Sequence, residues 1–590
     1  MKNSLSSGTI ITIAGAGILC SYSACNPLQK KNLPPNVIIV LTDDQGYGDL
    51  SAHGNPVLKT PVLDKLHDQS IRLTDFHVAP MSSPTRGQLL TGRDGKDNGA
   101  TCVMNGRSMI REELPLMSDI FKASGYKTAH FGKWHLGDSY PYRPQDRGFD
   151  ETVHHGAWGI GRSIADFFGN TYWNDTYEHN GKDEKYEGYC TDVWFDLATD
   201  YIKRHDGNGK PFFLYLATNA PHGPHLVNSK YSDPYLEKGM TPTISKFFGQ
   251  IANIDENMQR LLSTLDETGF TGNTILIYMT DNGTITGHTV FNAGMQGHKR
   301  SPYEGGHRVP FYIRWPKGNL GEPRDIDELT QVQDILPTLI EFCNLKNPEN
   351  AGFDGVSLAP LLTGRVDSLD ERMLVVEYEN PSIPEDNKAV LWNKWRLVKN
   401  TELYNLKDDP EQLNDLAKHY PEIVTKMQDY YIQWLENTLP DFNKKRYIHV
   451  GSDKQDPVML YSSDWQGSYA DNINQLFIGT DTGFWDISVE KPGKYEITLY
   501  RWHPSSGSPL SGDLVNNPWP EKEGLGAIPV AQARLKADDF DQTVSTSASQ
   551  TEAKFTVELK AGTNKIETWF LDKNGNTLCS AYYTKVEHIN

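Results

Sequence analysis

Val37-Ile38-Ile39-Val40-Leu41 is an unbroken run of aliphatic, mostly β-branched residues. A strand with one wet face alternates polar and apolar positions, so this one must be covered on both sides. That demand calls for an α/β architecture, with helices packed over a largely parallel sheet. Phe212-Phe213-Leu214-Tyr215-Leu216 and Thr274-Ile275-Leu276-Ile277-Tyr278-Met279 repeat it. The covering helices are also legible. Thr191 to Lys203 brings Val193, Leu197 and Tyr201 together with Trp194 and Ala198, and residues 245–268 align Ile251, Ile254, Met258, Leu261 and Leu265. Each apolar run ends in polar residues: Thr42-Asp43-Asp44-Gln45-Gly46, Asn219-Ala220-Pro221-His222-Gly223-Pro224-His225, and Thr280-Asp281-Asn282-Gly283. Open α/β sheets hold their ligands beyond the C-terminal ends of the strands, so these three ends predict a site.

The residue types there have a chemistry. Asp43 and Asp44 repel each other unless a cation lies between them, and their hard oxygens suit calcium or magnesium, although an Asp-Asp pair alone is also an ordinary acidic turn. Asp281-Asn282-Gly283 is in the same way either a turn or more oxygen ligands. Gly125 to Gly137 contains a strand predicted to run to Phe131, then a turn from which Lys133 and His135, two apart, share a side and can face one anion. His222, set between prolines, is ordinarily a turn residue, although an imidazole of ordinary pKa can also transfer protons, and His225 reads only as a rim residue. Gly297 to Pro310 clusters bases around Lys299, as a solvated loop or an anion contact. In Ser82-Ser83-Pro84-Thr85-Arg86-Gly87-Gln88-Leu89-Leu90-Thr91-Gly92-Arg93, Pro84 fixes the backbone and Arg86 returns a charge toward Ser82. Gln88-Leu89-Leu90 begins a helix that Gly92 stops, which puts Ser82 at a helix N-terminus, where an anion is favoured.

This last stretch resembles the signature of the formylglycine-dependent sulfatases, of the serine type. The resemblance continues in order through Gly132-Lys133-Trp134-His135-Leu136-Gly137, Pro221-His222-Gly223-Pro224, Asp281-Asn282-Gly283 and Lys299 with Glu304-Gly305-Gly306 and Arg308-Val309-Pro310. Later echoes are Gly352-Phe353-Asp354-Gly355 and Glu402-Leu403-Tyr404-Asn405-Leu406. It implies an alkaline-phosphatase-like sandwich with a mixed, largely parallel central sheet and a small C-terminal α+β subdomain. Ser82 would be oxidised by a maturation enzyme to formylglycine (3-oxoalanine), whose hydrate is the nucleophile. Asp43, Asp44, Asp281 and Asn282 would hold one calcium ion. Lys133 and Lys299 would contact sulfate, with Arg86 beside the nucleophile. His222 would protonate the leaving group, and His135 would take the proton whose loss expels sulfate. The implied substrate is a sulfated carbohydrate, with sulfated galactose or N-acetylgalactosamine expected from glycan-degrading bacterial members. Two rival readings are a phosphodiesterase or phosphonate hydrolase of the same superfamily, and a glycan-binding lipoprotein with Ser82 unmodified.

At 590 residues the chain exceeds one ordinary core. We expect a catalytic unit over 35–440, with its subdomain at about 366–440, and an additional all-β sandwich-like domain over 445–590. In the latter, Gly493 to Tyr500 and Phe555 to Leu559 alternate with period two, and Ala561-Gly562-Thr563-Asn564 predicts a hairpin into Ile566 to Phe570. Packing against the catalytic unit is the expected role of this appendage, with carbohydrate binding, suggested by its tryptophans, as the alternative. The first 25 residues read as an export signal with a weakly apolar run from Ile10 to Cys20, followed by a linker over 26–34. Ser23-Ala24-Cys25 resembles a lipobox, with lipid attached at Cys25, so the chain is expected in the periplasm or on the bacterial surface. Tyr22 departs from the usual aliphatic position, and simple cleavage is the alternative. A formal charge of −19 argues against nucleic acid as a partner, and any anion site must create its positive potential locally. Cys102, Cys190, Cys343 and Cys579 are too sparse for a disulfide framework and read as buried thiols.

Overall fold

The computed structural model describes Gly8 and residues 34–164, 172–205, 209–349, 351–380 and 386–589. Apart from Gly8, the leader and Cys25 lie outside the described residues.

The central sheet has ten strands: β1 Asn36–Thr42, β2 Ile71–Leu73, β3 Lys127–Lys133, β4 Glu151–His155, β5 Thr176–His179, β6 Lys182–Lys185, β7 Phe212–Ala217, β8 Thr274–Thr280, β9 Phe311–Arg314 and β10 Asp325–Ile326. Their order is β10-β2-β9-β8-β1-β7-β3-β4-β5-β6. The five middle strands, β8-β1-β7-β3-β4, are mutually parallel. The β9 and β5 neighbours run antiparallel, so the sheet is mixed, as expected. All seven residues of β1 are buried, which is the physical content of its unbroken apolar run. One face packs against α1 (Ser82–Thr91) and a core containing Leu89, Leu90, Phe121 and Leu336. Helices α2 (Cys190–Arg204) and α3 (Pro242–Glu267) cover the other face through Trp194, Phe195, Ile254, Met258 and Leu261. Both helices lie within a few residues of their predicted spans. Four buried free thiols are found among the described residues, also as predicted. No helix among them is long and apolar enough to cross a membrane.

A second, four-stranded antiparallel sheet follows, with strands Met373–Glu377, Lys388–Trp392, Trp395–Val398 and Glu402–Asn405 packed on a helix over Pro421–Phe442. Arg396 joins it to the loops beside the main sheet. Its guanidinium donates to Glu304 (2.8 Å) and Asp75 (2.8 Å), all but sealed from water. Burial pushes the Glu304 carboxyl up, but Arg396 and two histidines outweigh it and leave it at about 2. Glu304 opens the short helix that follows the Lys299 loop, so this ion pair steadies a loop of the site. Removing one partner of a buried pair strands the other charge. Arg396→Ala should therefore lower unfolding stability by about 3–5 kcal/mol, read from the denaturant midpoint.

The last part of the chain is a β-sandwich. One sheet is built from Ile448–Val450, Gly483–Val489, Gly562–Leu571, Gln532–Ala537 and Phe540–Ser545, and the other from Val458–Tyr461, Tyr583–Ile589, Gly493–Tyr500 and Ala553–Leu559. The hairpin predicted around Ala561 does not form. Ala553–Leu559 pairs with Gly493–Tyr500, and Gly562–Leu571 pairs with Gly483–Val489 in the opposite sheet. The tight turn is a crossover between layers. Both strands bury alternate residues in one shared core, so each satisfies the same period-two pattern from opposite sides. That core also takes in Met109, Tyr142 and Ile164 from the catalytic unit, so the sandwich does pack against it.

Candidate active site

Register places the acids. β1 and β8 pair from Asn36 with Thr274 to Thr42 with Thr280, so Asp43 and Asp281 leave the sheet side by side. Their ligand atoms and those of Asp44 lie within 4.8 Å of one another. Asp44 has a positive φ (66°), and its amide donates to Asp281 Oδ1 (3.1 Å), which folds the Asp-Asp step back over the sheet end. The Asn282 side-chain amide donates to Asp44 Oδ1 (2.7 Å) and leaves its own oxygen facing Ser82.

Ser82 is the first residue of α1, whose end is sealed by Gly92 in the left-handed region, as the sequence predicts. Its hydroxyl lies between two of the predicted metal ligands, 3.0 Å from Asp43 Oδ1 and 3.2 Å from Asn282 Oδ1. Arg86, one turn along, does not reach that hydroxyl. It donates to Asp281 Oδ2 (2.9 Å) and to the Lys133 carbonyl (3.2 Å), with Asp43 at 3.8 Å. Its charge therefore acts on the acids around Ser82.

The strand predicted to stop at Phe131 runs on to Lys133, which is its last residue and donates from Nζ to Asp43 Oδ2 (2.7 Å). Gly132 makes this possible: a Cβ there would stand 1.9 Å from the Ala217 carbonyl on β7, and its φ is +106°. His135 follows at φ 61°, an uncommon conformation for a residue with a side chain. Its backbone carbonyl accepts from Ser83 Oγ (3.0 Å), while the buried Nδ1 has no partner among the described residues. Lys299 Nζ donates to Asp44 Oδ1 (2.5 Å). His222 Nε2 lies 3.6 Å from Asp44 Oδ2, and its Nδ1 is fixed by the Gly223 carbonyl (2.7 Å). The expected rim residue His225 is tied at both ring nitrogens, to Gln250 (2.9 Å) and Thr286 (3.1 Å). All ten predicted site residues within the described part of the chain therefore meet in one place.

Burial and charge set the proton affinities. Burial pushes the Asp43 carboxyl up, but Lys133, His222 and Arg86 overcome it and hold it at about 2. Asp44 is lowered as well, with Lys299 and His222 outweighing burial. Asp281 is raised, by burial and by the charge of Asp43. His135 is held far below the ordinary imidazole value by burial and by the cations Lys133, Arg86 and Lys299, so it is a neutral base. His222 is lowered by burial despite Asp44, which corrects the expectation of an ordinary imidazole. Its backbone follows a strand end, and the ring is half-buried beside the acids.

The donor set fits a hard divalent cation. Three carboxylates and one amide oxygen converge, with no thiol or imidazole among the closest oxygens. Three cations, Arg86, Lys133 and Lys299, already face the three carboxylates. A divalent ion on the same oxygens would give the pocket a positive excess, as binding an anion to this acidic chain requires.

Sequence reasoning missed the surroundings of these residues. Tyr215 on β7 brings its hydroxyl to Arg86 (3.5 Å). The indole of Trp158 lies 5.3 Å from the His222 ring, between centroids. Proximity to a strand end could have suggested the tyrosine. Nothing in the sequence around Trp158 marks it.

A family model described as Sulfatase matches residues 35–345, and one described as N-sulphoglucosamine sulphohydrolase, C-terminal, matches 295–437. An N-acetylgalactosamine-6-sulfatase of Sus scrofa is 29% identical over 369 residues, covering 56% of this chain and 67% of its own length. An ulvan-active sulfatase of Formosa agariphila is 28% identical over 455 residues, covering 72% and 83%. Among solved structures, Ps i-CgsB in complex with k-i-k-neocarrahexaose aligns with a TM-score of 0.63 at 25% identity, over 68% of this chain and 92% of that one.

Proposed function

The chain belongs to the sulfatase family, and from that premise we propose that it removes sulfate from a sulfated glycan, with sulfated galactose or N-acetylgalactosamine as the sugar. The observation that carries the reading is the Ser82 hydroxyl held between Asp43 and Asn282, with Lys133 and Lys299 on the same acids. Relatives that act on N-acetylgalactosamine 6-sulfate and ulvan, and a structural neighbour bound to a carrageenan fragment, support the choice of glycan.

Oxidised to formylglycine by a maturation enzyme, residue 82 would offer a hydrated aldehyde as nucleophile, which releases sulfate more readily than a serine ester. Calcium on Asp43, Asp44, Asp281 and Asn282 would supply Lewis acidity and positive charge. The chain's own groups do the rest. Arg86 keeps Asp281 oriented and opposes the rise in its proton affinity. Lys133 and Lys299 offset charge on the sulfonyl oxygens. His222 has its Nδ1 proton committed to the Gly223 carbonyl, so Nε2 is the atom that gains a proton beside Asp44 and passes it to the departing sugar oxygen. The negative charge of an arriving sulfate ester favours that protonated form against the effect of burial. His135, neutral and with an unpartnered Nδ1, accepts the proton of the second step.

Mass analysis of the peptide spanning Met81 to Arg86, alongside sulfate release from a sulfated galactan, tests the reading. We expect the peptide to be lighter by two hydrogens in active material from a maturation-competent host. An unchanged peptide in fully active protein overturns the nucleophile. For the metal, purified chain should carry one calcium ion, and Asp281→Asn should lose it along with turnover. Retention of stoichiometric calcium in that variant rejects the ligand set. We further propose export to the periplasm or cell surface with a lipid anchor at Cys25. Cys25→Ala should move the chain from the membrane to the soluble fraction, and an unchanged partition rejects the anchor.

A further inference from the structure

Part of the β-sandwich reaches back to the catalytic histidine. The segment Tyr469–Ile473 is clasped to residues 162–164 of the catalytic unit. The Ile473 amide donates to the Arg162 carbonyl (2.9 Å), the Ile164 amide donates to the Asp471 carbonyl (3.1 Å), and Ser163 and Asn472 form an antiparallel bridge. The Asp471 carbonyl also accepts from Trp158 Nε1 (3.0 Å), the same indole that lies 5.3 Å from the His222 ring. One residue of the sandwich is thus separated from the leaving-group acid by a single side chain.

These contacts use the main chain of Asp471, whose carboxylate interacts with the Tyr469 hydroxyl and its own amide and keeps one oxygen without a donor. Asp471 is only 3% exposed, yet Oδ1 has no hydrogen-bond partner among the described residues. A buried acceptor without a donor is costly, by about 1–3 kcal/mol, and such groups persist where something else supplies the donor. Burial drives this carboxyl up to about 7, against the influence of Tyr469, Arg300 and Lys133, so it lies within the electrostatic field of a sulfate-contacting lysine. Arg300 directly follows Lys299 and is exposed, and Tyr469 is 38% exposed. The neighbourhood combines a half-buried indole beside the group that protonates the leaving oxygen with a tyrosine, a carboxylate and a cation around the clasp. A sugar ring offers matching surfaces, with C–H faces for the indole and hydroxyl donors for the carboxylate.

We propose that the β-sandwich completes the sugar subsite, with the Asp471 carboxylate accepting a hydrogen bond from a hydroxyl of the sugar whose sulfate is removed and the Trp158 indole packing on its ring. The proposal rests on the glycan-sulfatase reading above. It makes the C-terminal domain a specificity element of the active site.

The test is kinetic, on the full-length matured enzyme. Asp471→Ala and Asp471→Asn are compared with the unaltered chain on a panel of carrageenan, ulvan and chondroitin sulfate oligosaccharides, and on 4-nitrophenyl sulfate, which has no sugar. Because the clasp uses backbone atoms, the melting temperature should stay within a few degrees. Loss of a hydrogen bond to a charged acceptor is worth about tenfold to a hundredfold in kcat/KM. That loss should appear on the best oligosaccharide substrate, mainly in KM, so the ratio of sugar to aryl activity falls at least tenfold in Asp471→Ala and by less in Asp471→Asn. Equal losses on both substrate types, or no loss on the oligosaccharide, overturn the subsite. If the unaltered enzyme turns over only 4-nitrophenyl sulfate, the glycan reading itself falls, and the subsite with it.

Discussion

Ser82→Ala should abolish sulfate release while leaving the fold intact. Removing a nucleophile costs on the order of 10⁴–10⁶ in turnover, because only binding and electrostatic stabilisation remain. The folded state depends on Ser82 very little. Its hydroxyl has one proton, which either Asp43 or Asn282 can accept, and Asp43 keeps Lys133 as a donor when it is lost. We expect about 1–2 kcal/mol of destabilisation at most, seen as a small shift in melting temperature. Sulfate release from 4-nitrophenyl sulfate is the measurement. Residual activity within tenfold of the unaltered chain would falsify any covalent role for residue 82.

His222→Ala should discriminate between substrates. A sugar alkoxide is a poor leaving group and needs a proton, whereas a nitrophenolate departs without one. General acid assistance is typically worth ~10²–10⁴-fold, so that loss should fall on sugar sulfates and be far smaller on 4-nitrophenyl sulfate. His135 acts after the first bond has broken, so His135→Ala should slow both substrates alike. Equal losses in His222→Ala would remove it from the acid role. The same variant tests the electrostatics of the pocket. With His222 gone, Asp43 and Asp44 each lose one of the groups that lower their carboxyl pKa.

Much of this was legible along the chain. β1, β7 and β8 could be read because a strand buried on both faces has almost no freedom in residue type, and their polar ends followed directly. Asp43, Asp281, Lys133 and Ser82 were legible because they lie at strand ends or a helix start that local sequence defines, whereas Lys299 lies on a loop and was legible through the resemblance alone. What escaped depends on segments that meet only in three dimensions. Arg396 looks like any strand arginine until Asp75 and Glu304 close around it from more than ninety residues away. The strands on either side of Ala561 have the right alternation for a hairpin, because a sandwich core imposes the same period on both its sheets. The lowered pKa of His222 comes from partial burial and the lysines nearby, which its Pro-His-Gly-Pro surroundings do not announce. Asp471 lies more than three hundred residues from Trp158 in sequence.

The burial of Ser82 has a consequence in time. Its oxygen is sealed by Asn282, two hundred residues further along, and the side chain is 1% exposed once that partner is in place. At a synthesis rate of ~5–20 residues per second, roughly 10–40 s separate the appearance of the two residues. On the formylglycine reading proposed above, a maturation enzyme that needs to grip the backbone around residue 82 would meet an open chain in that interval and a closed helix afterwards. Any condition that hastens folding relative to synthesis would then shorten the supply of competent enzyme. Equally well-folded preparations can then differ in the fraction of molecules able to turn over.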